Sequence, residues 1–204
     1  MDKETINSYN REAKSIAQLH STLTPYRIYE LIDKYFTADG TTADIGCGIG
    51  RDTHWLNQQG FPTIGVDASG EMLKQARLLY PNDKFVQDDL PELNKLGDSL
   101  FQNILCSAVL MHLNKNELIP ACNRLLQLLN ENSCMVVSFR STNEIGNREK
   151  GKLYEPIDIE YFLNHFKKYR CAILLYESVI EASRNIIWQN LVIRKTNMTL
   201  TVSN

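Results

Sequence analysis

The stretch Ala43-Asp44-Ile45-Gly46-Cys47-Gly48-Ile49-Gly50-Arg51-Asp52 constrains this chain more than any other. A short β-prone run leads into it, three glycines follow in G-x-G-x-G spacing, and a helical pattern begins behind them. A strand that ends in glycines and feeds a helix makes a ligand cradle, because glycine admits positive φ and lets ligand atoms approach the backbone. The start of the helix adds free N–H groups and a partial positive charge. A dinucleotide turn reads G-x-G-x-x-G, with a third glycine for close helix–strand packing. Here Arg51 stands at that third position, glycine comes early at Gly50, and an acid, Asp44, lies two residues before Gly46. A carboxylate there repels a pyrophosphate and holds an ammonium group, which disfavours a nicotinamide dinucleotide.

Strand and helix patterns alternate through the rest of the chain. Pro25 suits the first turn of a helix, and Ile28, Leu31, Ile32 and Tyr35 form its apolar stripe. Thr41 to Ile45 reads as a strand, and the helix carrying Trp55 and Leu56 stops at Gly60. Pro62 to Val66 and Lys84 to Gln87 are the second and third strands, with a helix between them that Ser69 can cap. Asn103 to Ala108 is the fourth strand. Asn114 with Glu117 predicts an N-cap, and Pro120 a kink near the start of that helix. Cys134 to Phe139 is the fifth strand, Asp158 can cap a further helix, and Cys171–Val179 with Ile186–Arg194 reads as an antiparallel hairpin. This alternation predicts a mostly parallel sheet covered on both faces.

A length of 204 residues with no linker or repeat predicts a single domain, 1–204, with residues 1–24 as an N-terminal arm or lid and 25–204 as the core. Net charge is −2, which offers no attraction for nucleic acid or an anionic membrane. The five cysteines are scattered without a C-x-x-C pair, and they read as buried free thiols, with no metal site expected. The polar start Met1-Asp2-Lys3-Glu4-Thr5 lacks a signal-peptide core, and the expected location is the cytoplasm.

In a doubly wound sheet the ligand sits beyond the carboxyl ends of the strands, so the residues there are the candidates. Asp67, after the second strand, is placed to accept from a ribose diol, or to cap the next helix. After the third strand, Asp89 is the first choice and Asp88 the second for accepting from an adenine amino group. Met72 could cover an adenine face or belong to the core. His112 is the ionisable residue nearest the expected reaction point, and is the candidate catalytic group, able to orient or deprotonate a substrate or simply to anchor its loop. Tyr9, Tyr26, Arg140 and Arg184 are candidates for an acceptor pocket. The arm and the polar segment Arg140–Pro156 are expected to close over His112, and loss of residues 1–20 to spare cofactor affinity.

Asp44-Ile45-Gly46-Cys47-Gly48-Ile49-Gly50, then Val66-Asp67-Ala68-Ser69 with Met72-Leu73, then Asp88-Asp89-Leu90-Pro91, resemble the class I S-adenosylmethionine (SAM) dependent methyltransferases in order and spacing. Cys106-Ser107-Ala108-Val109-Leu110-Met111-His112-Leu113 looks like the fourth-strand segment of the small-molecule branch, and lacks the N-P-P-Y pattern of base methylation. The resemblance covers about residues 41–140. It implies a Rossmann-like, doubly wound, seven-stranded α/β sheet, mostly parallel, with strand order 3-2-1-4-5-7-6, an antiparallel last strand and helices on both faces. It implies SAM as cofactor and methyl transfer to an O, N or S atom of a small molecule, by a monomer or homodimer. Asp44 with Gly46, Cys47, Gly48 and Gly50 would hold the methionine part. Asp67, with Ala68 beside it, would bind the ribose, Asp89 or Asp88 with Leu90 the adenine edge, and the Ser107 carbonyl the ammonium. A SAM-binding regulatory or assembly protein and a protein-directed methyltransferase are the rival readings.

Overall fold

The computed structural model describes residues 1–182 and 184–197. The domain expected over 1–204 therefore includes residues 183 and 198–204, which lie outside the described residues.

Helix α1 (Lys3–His20) is capped by Asp2, whose carboxylate accepts from the Thr5 N–H at 2.8 Å. Helix α2 (Tyr26–Tyr35) starts directly after Pro25 and buries Ile28, Tyr29, Leu31 and Ile32. Strand β1 (Thr42–Ile45) is buried at every position, as a central strand covered on both faces must be. Gly50 leads into α3 (Arg51–Gln58), which is followed by β2 (Thr63–Asp67), α4 (Gly70–Leu79) and β3 (Lys84–Gln87). Ser69 caps α4 by accepting from the Met72 N–H. Strand β4 (Phe101–Ser107) leads into α5 (Lys115–Leu128), which opens on a full capping box between Asn114 and Glu117. Pro120 sits inside α5 in its second turn, and the helix continues past it to Leu128.

Strand β5 (Leu129–Arg140) is followed by a small hairpin, β6 (Asn147–Glu149) and β7 (Lys152–Tyr154), then α6 (Ile159–Lys168), β8 (Cys171–Glu181) and β9 (Ile186–Lys195). The main sheet runs β3-β2-β1-β4-β5-β9-β8, which is the order 3-2-1-4-5-7-6 when the separate hairpin is set aside. Pairing is parallel from β3 through β5 and antiparallel for β9 and β8. Neighbouring residues of the central strands divide between the two faces. Ile104, Cys106, Met135 and Val137 pack with Phe162 and Phe166 of α6, while Leu105, Val136 and Val192 pack with Ile32 of α2 and Leu56 of α3.

The β6–β7 hairpin lies in the polar segment that the sequence marks as a loop. Its apolar content is a single buried Leu153, and short strands of this kind carry no alternation to read. It is held by α1. Ser8 Oγ donates to the Lys150 carbonyl at 2.6 Å, Thr5 Oγ1 accepts from the Leu153 N–H at 2.8 Å, and Lys152 pairs with Glu12.

Candidate active site

The order of the sheet reverses between β1 and β4, and the two strands diverge into different loops at their carboxyl ends. The loop after β1 is built on glycine for steric reasons. A Cβ on Gly46 (φ 76°) would stand 2.1 Å from Cγ2 of Val109, and one on Gly50 (φ 77°) 2.5 Å from the ring of Phe85. Gly46 thus lets the loop after β4 close against the loop after β1, and Gly50 lets α3 sit down on β3. The Gly50 position does not face the cavity formed here, and neither does Asp44.

Asp44 is buried beneath the loop at 2% exposure, where Oδ2 accepts from the Thr53 hydroxyl at 2.7 Å. Burial, reinforced by the negative charge of Asp52, pushes its pKa up to about 7. Asp67 stands at the end of β2. Its Oδ2 accepts from the Gly48 N–H and its Oδ1 from the Ser69 N–H, both at 2.8 Å, so the carboxylate joins the glycine loop to the α4 cap. Burial raises its pKa, against the two N–H bonds that lower it.

A cavity opens beyond these strand ends. Gly46, Cys47, Gly48 and Met72 line it beside Asp67 and Ala68. Asp88, Asp89 and Leu90 line it from the end of β3, and Ser107 and His112 from β4 and the 3-10 turn after it. The two acids after β3 differ in use. Asp88 closes its own turn, accepting from the N–H groups of Asp89 at 2.9 Å and Lys95 at 2.6 Å. Asp89 makes neither bond and stands half-exposed at the rim, 3.6 Å from the Met1 amino group.

The far wall comes from α1 and the hairpin. His112 is buried at 3% exposure, with Nδ1 2.5 Å from the Leu153 carbonyl and Nε2 3.0 Å from the Tyr9 hydroxyl. Burial lowers its pKa to about 4. Tyr154 meets the imidazole edge-on at 5.0 Å between ring centroids, and Arg140 lies over Tyr154 while forming a bidentate pair with Glu149. Of the four acceptor-pocket candidates, Tyr9 lines the cavity. Arg140 instead braces the hairpin, Arg184 pairs with Glu181, and Tyr26 is exposed on α2.

Residues 43–132 match the family model described as a methyltransferase domain, over the same strands and loops that build this cavity. Over these residues the chain is similar to methyltransferase domains, and its fold is that of solved SAM-dependent methyltransferases. It is similar to an uncharacterized methyltransferase of Alkaliphilus oremlandii, 32% identical over 133 residues that cover 60% of this chain and 61% of that one. A trans-aconitate 2-methyltransferase of Rhodopseudomonas palustris is 45% identical over 53 residues, 24% of this chain and 20% of the relative. The chain thus matches less than two thirds of the length of either relative. Among solved structures, 1,6-didemethyltoxoflavin-N1-methyltransferase of Burkholderia thailandensis, with bound 1,6-didemethyltoxoflavin and S-adenosylhomocysteine, shares the fold at a TM-score of 0.74 and 17% identity, covering 95% of this chain and 88% of that one.

The cavity also holds residues that strand-end reasoning missed. Arg51, which in the sequence only marks the absence of a third glycine, lines it together with Asp52 and with His20 from the last turn of α1. Arg51 grips Asp52 through two hydrogen bonds of 2.8 Å, and Tyr29 donates to the same carboxylate. Ile6 and Tyr9 also come from α1, and Asn10 accepts from the Ser69 hydroxyl at 2.7 Å. The arm therefore touches both ends of the cavity. The sequence suggests the arm as a cover for the acceptor side, but no local signal marks its reach to the glycine-loop side, since the apolar face of α1 reveals that it packs but not on what.

Proposed function

We propose that this methyltransferase moves a methyl group from S-adenosylmethionine to an O, N or S atom of a small molecule. The observation that carries the reading is the cavity at the switch point, with a glycine loop on one side, strand-end acids on another, and an enclosed far wall. Bound there, SAM supplies a methyl group made electrophilic by its sulfonium.

The donor set fits that group. Each Asp67 oxygen accepts one backbone N–H and retains lone-pair capacity for a ribose hydroxyl. Asp89 is left by Asp88 to meet an adenine edge, with Leu90 beside it. Gly46, Cys47, Gly48 and the Ser107 carbonyl would surround the methionine part, and Asp44, buried beneath the loop with its pKa raised by burial, would act through the loop it underlies. Arg51 would meet the methionine carboxylate, with His20 beside it in the lining. A pyrophosphate would meet the carboxylates of Asp52, Asp67, Asp88 and Asp89 in the same lining. On this reading residues 1–24 form one domain with the core.

A small acceptor is favoured because α1 and the β6–β7 hairpin cover the far wall, leaving His112 almost fully buried. What remains for the protein is to hold the acceptor atom in line with the methyl group, and orientation of this kind is worth roughly 7–11 kcal/mol of barrier. Calorimetry should show binding of SAM and S-adenosylhomocysteine, with no comparable binding of NAD. Methyl-labelled SAM incubated with a small-molecule extract should give labelled product. NAD binding without SAM binding would sink the cofactor assignment, and SAM binding without product would favour a regulatory protein.

A further inference from the structure

We propose that Tyr9 is the group that meets the methyl acceptor, that it does so as a hydrogen-bond acceptor, and that the substrate therefore presents an O–H, N–H or S–H and not a carboxylate. The inference rests on the methyltransferase reading above and names the substrate class for that site.

The direction of three polar contacts carries it. A backbone carbonyl can only accept, so the 2.5 Å contact from Leu153 requires a proton on His112 Nδ1. A neutral imidazole with a proton on Nδ1 has a bare lone pair on Nε2. The Tyr9 hydroxyl, 3.0 Å from that lone pair, must then donate to it. Tyr9 has one proton and has used it. What its oxygen can still offer to the cavity is a lone pair, which a protonated nucleophile can use and a carboxylate cannot. Burial keeps the imidazole neutral at pH 7, so the direction does not reverse in the ordinary working range.

The same contacts remove His112 from direct reach. Both ring nitrogens are occupied, one by a strand of the hairpin and one by the arm. His112 is a positioning residue: it orients the Tyr9 hydroxyl, and Tyr9 faces the ligand. Tyr9 is itself fixed from the other side, with Lys152 Nζ over its ring at 4.9 Å and paired to Glu12. The hydrogen-bond polarity of the site is thus set by the Leu153 carbonyl, two residues removed from the substrate.

The test is nitrogen NMR on the full chain labelled with 15N-histidine, at pH 7, with and without S-adenosylhomocysteine. The expected spectrum gives His112 as the neutral Nδ1–H form, with an Nε2 resonance that moves in Tyr9→Phe. A proton on Nε2, or an imidazolium, would overturn the assignment. Turnover is then measured with labelled SAM on phenol, aniline and thiophenol as one set and on acetate and benzoate as the other. Product from the first set alone is expected, with kcat/KM at least about tenfold lower in Tyr9→Phe. Any product from the carboxylates, or unchanged turnover in Tyr9→Phe, sinks the proposal. If neither set reacts, the protonation pattern decides alone. Calorimetry with S-adenosylhomocysteine keeps the two levels apart: no binding defeats the methyltransferase reading, whereas binding with the wrong histidine form defeats only this inference.

Discussion

Asp67 accepts the Gly48 N–H at 2.8 Å, so the residue that would bind the ribose also holds the loop that would cradle the methionine. One side chain ties the end of β2 to the loop after β1, and through Ser69 to the start of α4. Loss of the carboxylate should therefore be felt in two measurements at once.

Asp67→Ala is expected to weaken SAM by about 2–4 kcal/mol, roughly 30-fold to 1000-fold, if two charged hydrogen bonds to the ribose are lost. It should also lower unfolding free energy by about 1–3 kcal/mol, because two backbone N–H groups lose their partner. Calorimetry and urea unfolding on the same preparation check both. Unchanged SAM affinity in a folded variant would move the ribose contact elsewhere.

Asp44 gives a pH prediction with a definite sign. Its pKa in the folded protein is raised to about 7, above the ordinary unfolded value near 3.9. Folding thus favours the protonated acid, and this contribution is fully present below about pH 4 and lost as pH rises through about 7. Asp67 is shifted the same way, so the difference between two proteins isolates Asp44. Asp44→Asn should gain stability relative to the natural protein as pH climbs from 4 to 8. Urea midpoints across that range read the slope, and parallel curves would refute it.

The arm offers a prediction in which the structure changes the expectation. Sequence alone suggests that residues 1–20 touch only the acceptor side. Ile6, Tyr9 and His20 of α1 line the same cavity as the glycine loop, and Asn10 engages the α4 cap. Deleting residues 1–20 should therefore lower affinity for S-adenosylhomocysteine by about tenfold, or ~1.4 kcal/mol, besides impairing transfer. Calorimetry on the truncated chain, with its folding checked by circular dichroism, measures this. Full affinity would restrict the arm to the acceptor side.

Asn103 is a structural prediction remote from the cavity. It is fully buried on β4, accepts from the Thr37 N–H at 2.8 Å, and donates to the carbonyls of Thr37 at 3.0 Å and Gly40 at 3.3 Å. These bonds fasten the turn between α2 and β1. Asn103→Ala should destabilise the protein by about 2–4 kcal/mol, since it strands buried backbone groups. Denaturant unfolding should show the loss with cofactor affinity intact in the folded fraction.

The sequence by itself determined the β–α alternation, the antiparallel ending and the acids at the strand ends. These are local: apolar period, a cap such as Ser69 or Asn114, and a glycine loop are written within a few residues of where they act. The order of the seven main strands came from the family resemblance, and the sheet has that order. Tertiary structure alone decided which groups share the cavity. Asp88 and Asp89 are adjacent in sequence, and only the Lys95 and Asp89 N–H groups that engage the first leave the second for other work. Gly50 reads as part of a ligand loop, yet the Phe85 ring is what excludes a side chain there. Tyr9 and His112 are 103 residues apart, and Leu153 a further 41. No local pattern encodes that meeting. It arises because α1 and the β6–β7 hairpin pack on one another above β4, and a hydrogen bond acquires its direction only when all three partners are in place.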